Sequence, residues 1–259
     1  MSRVSRLCLV LGALVLFGCS AERPGARVPS SEDAPRSLDV RWVGDPAGDA
    51  PVVVLMHGYG AAGDDLVFLA EELHGRLEGR VRFALPVAPL PGPANGLAWW
   101  PLDLGDERPA DRGGEAPPGL ARARRDVIAW LEREAREGRL DPARTVIAGF
   151  SQGAMLAAYV GIEWDRELAG VVMLSGGPID LARWERRMRE RRPPPFLITH
   201  GHGDPLLAFS AAASLRERIE QAGGSARLLA FDGRHGIPPI AVGTMEGFLR
   251  AQLGLARPE

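Results

Sequence analysis

Five short, near-continuously apolar runs punctuate the chain: PVVVLM (51–56), TVIAGF (145–150), AGVVMLS (169–175), PFLITH (195–200) and ARLLAF (226–231). Runs of this kind suit strands covered on both faces, the usual condition of a parallel sheet. Parallel neighbours cannot be joined by a tight turn and need a crossover, normally a helix. The stretches 64–78, 118–137, 152–162, 180–191, 207–222 and 239–253 have the length and patterning to supply such crossovers. The alternation predicts an α/β fold with a mostly parallel central sheet and helices on both faces. One section breaks the rhythm. Residues 86–118, rich in Pro and Gly, are too many for a simple connection and read as a surface loop shaping a pocket.

At 259 residues the chain can close one large domain around a buried core. Its formal net charge of −2 gives no electrostatic case for nucleic acid or an acidic substrate, and 6% aromatics without basic interleaving add none. Arg3 and Arg6 precede a compact apolar stretch, Leu7–Phe17, which predicts an export signal over residues 1–18. That stretch is shorter than the ~20 apolar residues of a spanning helix. Its ending, LFGCS, resembles a bacterial lipobox, which implies lipidation of Cys19. Residues 19–37 then form the lipid-attachment cysteine and a Pro/Ser/Gly-rich flexible tether, and 38–259 the folded domain. The expectation is an exported protein, lipid-anchored to the bacterial cell envelope, at the outer membrane if the host has one. Ordinary secretion, or a periplasmic protein, is the alternative. Cys8 would leave with the signal, so no disulfide framework is expected.

The chemistry is carried by GFSQG (149–153), a G-x-S-x-G pattern between an apolar strand and an alanine-rich helix. In that context the serine sits on a sharp turn and the glycines make room for it, so Ser151 is the candidate nucleophile. A capping or core serine is the plain alternative. A serine hydroxyl needs a base, and the base needs an orienting acid, in the chain order nucleophile, acid, histidine. Of the five histidines, His235 lies in a glycine-flanked loop between the last strand and the last helix and is the candidate base. His57 and His200 end strands too early, and His74 reads as a solvated helical residue. Asp204, after the strand at 195–200, is the candidate acid. Its rival Asp180 reads better as an N-cap, and Asp232 is too near His235 in sequence. The oxyanion needs two N–H donors. Gln152 offers one through its backbone, and Tyr59, in the glycine-rich HGYG loop, the other. That loop could equally serve only to cap a helix begun by Asp64 or Asp65.

Taken together, VLMHGYGAAGDDL, VIAGFSQGAMLAAY, VVMLSGGP, ITHGHGDPLL and GRHGIPPI resemble the phospholipase/carboxylesterase family, which includes acyl-protein thioesterases and small bacterial carboxylesterases. The resemblance spans about residues 52–250. It implies a compact α/β-hydrolase fold with no large lid domain, and hydrolysis of carboxylic esters or thioesters. It places the nucleophile at Ser151, the acid at Asp204, the base at His235 and the oxyanion positions at Tyr59 and Gln152. The segment after Asp204, PLLAF, departs from the valine-containing version of many relatives. The tryptophans before the acyl pocket are kept, so Trp99, Trp100 and Leu102 are candidate substrate-pocket residues, although simple packing explains them equally well.

The expected protein is therefore a serine hydrolase acting on a small-molecule ester through an acyl-enzyme. A thioesterase or peptidase with the same three residues is the alternative. A non-catalytic, lipid-anchored binding protein on a hydrolase scaffold is the reading from a different class. No cofactor and no metal is expected, because the His200/His202 pair has no further clustered ligands. The arginine run at 183–192, interrupted by glutamates, reads as a solvated helix rather than a membrane-binding one.

Overall fold

The computed structural model describes residues 34–102 and 116–256. The expected export signal at 1–18, Cys19 and most of the tether lie outside the described residues, as do residues 103–115 of the Pro/Gly-rich section. Among the described residues, no helix is long and apolar enough to cross a membrane.

The five apolar runs form β2 (Val52–Met56), β6 (Thr145–Phe150), β7 (Gly170–Leu174), β8 (Phe196–Gly201) and β9 (Ala226–Phe231). Two further strands, β1 (Val40–Val43) and β3 (Arg82–Pro86), complete a sheet in the order β1-β3-β2-β6-β7-β8-β9. Neighbouring strands run parallel throughout, apart from the β1–β3 pair. Among the described residues, six α-helices supply the crossovers and the close: α1 (Val67–Arg76), α2 (Leu120–Arg136), α3 (Gln152–Glu163), α4 (Leu181–Glu190), α5 (Phe209–Gln221) and α6 (Pro239–Gln252).

The pleat divides the interior into two cores. Val53 and Leu55 of β2 point with Val146 and Ala148 of β6 into a cluster closed by α1 and α6. Their strand neighbours Val52, Val54, Met56 and Ile147 point the other way, into a larger cluster closed by α2, α3, α4 and α5. Burial on both faces explains why β2, β6, β7 and β8 read as unbroken apolar runs, whereas β9, at the margin of the sheet, is mostly half-exposed.

β1 and β3 were not among the runs the sequence singled out. β1 is an edge strand with half-exposed residues, and β3 opens on a charge. That charge is Arg82, which is only 4% exposed. Its guanidinium donates to the carbonyls of Ala50, Pro46 and Arg139, each at 2.9 Å. A buried cation is tolerated where its donors are satisfied, although burial still lowers its pKa.

Local details correct several expectations. Helix α1 begins at Val67, not 64, without a side-chain cap, and the carboxylate of Asp64 instead accepts from Arg41 at 3.2 Å. Asp180 stands at the N-terminus of α4 but its carboxylate caps nothing. It adopts a left-handed backbone and accepts from the Tyr159 hydroxyl at 3.1 Å. His74 is half-buried, not solvated, and its Nδ1–H donates to the Val81 carbonyl at 2.7 Å, tying the end of α1 to the approach to β3. The arginine-rich α4 buries Trp184 and Met188 alone, while Arg183 and Arg187 pair with Glu163 and Asp165.

Candidate active site

The carboxyl ends of β2, β6, β8 and β9 each carry one of the singled-out segments, where ligands of open α/β sheets bind. At the end of β6 the chain turns sharply into α3. Ser151, the residue at the corner, has φ 53° and ψ −117°, a conformation that costs a residue with a Cβ of order 1–3 kcal/mol. The turn is held by the Ser151 N–H, which donates to the Leu174 carbonyl of β7 at 2.9 Å. The two glycines are required by close approach. A Cβ on Gly153 would lie 2.2 Å from the Met56 carbonyl oxygen, and one on Gly149 would lie 2.3 Å from the Gly153 backbone. The start of α3 thus rests directly on the end of β2.

Gln152 is the first residue of α3, where backbone N–H groups have no intrahelical acceptor. Its buried side chain does a separate job. The Oε1 accepts from the Trp99 N–H at 3.0 Å and the Nε2 donates to the Trp100 carbonyl at 2.9 Å. The loop after β2 lies alongside: a Cβ on Gly58 would sit 3.4 Å from the Ser151 Cβ. This loop is stitched by Gly60 N–H to Leu97 and by Leu97 N–H to Ala61, both at 2.8 Å, onto the small hairpin of β4 (Leu90–Pro91) and β5 (Leu97–Ala98). Tyr59 is half-buried in it, its hydroxyl 3.4 Å from the Leu102 carbonyl. His57 is spent on structure. Its Nδ1–H donates to Gly58 and its Nε2 accepts from the Ala88 N–H, a neutral tautomer, and burial lowers its pKa against the opposing pull of the Gly58 bond.

Asp204 and His235 meet. The His235 Nδ1–H donates to Asp204 Oδ2 at 2.8 Å, and the carboxyl is wholly buried. Asp204 Oδ1 accepts from the backbone N–H groups of Leu206 and Leu207 at 2.8 and 3.0 Å. Burial pulls the Asp204 pKa upward, but the bonds from His235, Leu207 and Leu206 outweigh it and hold the carboxyl below its ordinary value of 3.8. The loop carrying His235 is latched to the end of β8 by His202 N–H to Phe231 and Gly203 N–H to Gly233, both at 2.9 Å. The ring of Phe150, the residue before Ser151, packs 5.0 Å from the His235 ring and links the two ends of the site.

Asp180 and the exposed Asp232 take no part in this cluster. Trp99 and Trp100 are buried in the core, the Trp99 indole donating to the His57 carbonyl at 2.9 Å, and Leu102 packs partly buried against the same core. Two contributors escaped the sequence. Ser175, buried and at φ 50°, donates from its hydroxyl to the carbonyl of Gly236, the residue after His235. His200 reaches Asp204 from β8. Neither belongs to a spacing pattern that a sequence could reveal. Among the described residues, no group of three His, Cys, Asp or Glu could hold a metal ion.

The sequence profile described as Phospholipase/Carboxylesterase matches residues 44–253. Acyl-protein thioesterase 1 homolog 1 of Dictyostelium discoideum is 26% identical over 204 residues, 78% of this chain and 90% of that protein. Among solved structures, esterase PE8 superposes with a TM-score of 0.74 at 30% identity, covering 84% of this chain and 100% of that one. The Bacillus cereus carboxylesterase superposes with a TM-score of 0.64 at 17% identity over 83% of this chain and 94% of its own, a likeness of fold alone. With the mostly parallel sheet and its two helical layers, these likenesses show an α/β-hydrolase fold without a large lid among the described residues.

Proposed function

The chain belongs to the phospholipase/carboxylesterase family, a family of hydrolases, and from that premise we propose that it is a serine esterase working through Ser151, Asp204 and His235. The observation that carries this reading is the buried Asp204–His235 hydrogen bond beside a strained serine turn. With Nδ1–H committed to Asp204, the His235 Nε2 is the free lone pair, the form a general base requires. His235 takes the Ser151 proton while Oγ attacks the ester carbonyl. The backbone N–H groups of Tyr59 and Gln152 hold the oxyanion. His235 then returns the proton to the leaving alcohol, and a water activated by the same imidazole cleaves the acyl-enzyme.

A carboxylic ester is the substrate class we favour, since esterase PE8 is 30% identical. A thioester is the second reading, supported by the relatives named acyl-protein thioesterases. The two are separated by matched oxygen and sulfur esters of one acyl group. For the common mechanism, a fluorophosphonate probe is expected to label Ser151 stoichiometrically, read by intact mass. An unlabelled but folded protein would mean a scaffold without catalysis.

We also propose that residues 1–18 direct export and that Cys19 carries the lipid that anchors the domain, on the strength of the LFGCS ending. Expressed in a bacterium with an outer membrane, the protein is expected in the membrane fraction and Cys19→Ala in the soluble fraction. Equal partition of both would remove the anchor.

A further inference from the structure

We propose that His200 is a positioning residue, whose Nε2–H pins the turn holding Asp204 to the central sheet through the Leu207 carbonyl and lies against the carboxylate oxygen that His235 faces. The inference rests on the reading of Ser151, Asp204 and His235 given above.

His200 lies in β8, four residues before Asp204, and is fully buried. Its Nε2 lies 3.0 Å from the Leu207 carbonyl oxygen and 3.3 Å from Asp204 Oδ2. Both neighbours can only accept, so the imidazole proton sits on Nε2; it is donated to the Leu207 carbonyl, and Asp204 Oδ2 lies beside it. Nδ1 has no partner among the described residues. An unprotonated Nδ1 suits that position, because a proton there would be a buried donor left unmade. The Phe209 ring, edge-on at 6.2 Å, is an apolar neighbour of the imidazole.

The donors around Asp204 make the role specific. Oδ1 takes the Leu206 and Leu207 N–H groups and Oδ2 takes His235, while His200 Nε2 lies 3.3 Å from Oδ2. The first three donors sit on loops. His200 alone stands in a sheet strand, and its bond to the Leu207 carbonyl relates the turn that holds the carboxylate to the framework that carries Ser151 at the end of β6. Its polar Nε2–H beside Oδ2 also offsets part of the charge the carboxylate presents to the imidazolium of His235. Of the other titratable side chains on the surrounding segments, His202, Asp232, Arg234 and Arg227 of β9 are exposed, Arg216 of α5 pairs with Glu217 and Glu220 and Arg218 with Glu185, and the ring nitrogens of His57 are both engaged.

The test compares His200→Phe and His200→Gln in the full chain, by steady-state hydrolysis of p-nitrophenyl acetate against pH and by thermal unfolding. Phenylalanine keeps the ring and removes the donor, whereas the glutamine amide reaches about where Nε2 sits. His200→Phe is expected to lower kcat about tenfold, the loss of the hydrogen bond that holds the Asp204 turn, with KM changed less than about twofold. Its acidic limb of kcat/KM moves to higher pH by about half a unit, because the carboxylate keeps more of its charge for the imidazolium. His200→Gln restores both. A phenylalanine variant that melts lower but keeps kcat and the acidic limb, or a glutamine variant no better than phenylalanine, overturns the proposal. Should the phenylalanine chain fail to fold, His200→Asn, whose shorter amide stops short of Oδ2, takes its place with the same criteria. Asp204→Asn is the control. If it retains turnover, the triad reading fails and this proposal with it. If it is inactive while His200→Phe is normal, only the role of His200 is lost.

Discussion

Ser151→Ala is expected to lower kcat for p-nitrophenyl acetate by at least ~10³-fold, leaving only the catalysis that binding and oxyanion donors provide. The structure makes this a clean experiment. Alanine keeps the Cβ, so the backbone at φ 53° is neither relieved nor further strained. The N–H that holds the turn to Leu174 and the first turn of α3 are untouched. Melting temperature should therefore match the wild type while turnover collapses. Ser151→Gly supplies the contrast. It loses the same hydroxyl but frees the positive φ, and is expected to be more stable by about 1 kcal/mol. Turnover kept by the alanine variant would remove Ser151 as nucleophile.

The second large effect is at Asp204. In Asp204→Asn the backbone N–H groups of Leu206 and Leu207 still require an acceptor at the Oδ1 position, so the amide oxygen settles there. The amide NH₂ is then turned toward His235 Nδ1, which must accept rather than donate. The imidazole proton moves to Nε2, the atom that has to receive the serine proton. Turnover is expected to fall by ~10³- to 10⁴-fold with substrate affinity little changed. The same substitution has a signature in stability. The Asp204 pKa is depressed in the folded state, so its contribution is complete above the ordinary value of 3.8 and disappears as pH falls through the folded value. Urea midpoints of wild type and variant should therefore differ near neutrality and converge below about pH 4. A gap that persists in acid would assign the stability difference to something other than ionisation.

What the sequence disclosed follows burial. Strands β2, β6, β7 and β8 are covered on both faces and announce themselves as apolar runs. β9 reads as a run although it is half-exposed; β1, a four-residue edge strand with a charge inside it, does not, and β3 does not, because Arg82 looks incompatible with a core. The carbonyls that satisfy it come from residues 46, 50 and 139, a convergence no local window contains. The site behaves likewise. Ser151, Asp204 and His235, the residues of the proposed site, each follow the end of a strand, a placement that order and context suggest in the sequence. The hydroxyl of Ser175 on Gly236 and the reach of His200 to Asp204 depend on how loops fold back, and sequence spacing does not encode them.

The latch between β8 and the His235 loop has a consequence for how the molecule fails. Asp204 and His235 belong to the β8–β9 margin of the sheet, and β9 is a terminal strand with several half-exposed residues. Ser151 and the HGYG loop belong to its middle, at β6 and β2. Partial openings that fray the margin would carry off acid and base together while the serine corner stays embedded. If Asp204 and His235 act as proposed, hydrolytic competence is governed by one rim of the sheet, and a chain that has stopped turning over can still hold most of its interior intact.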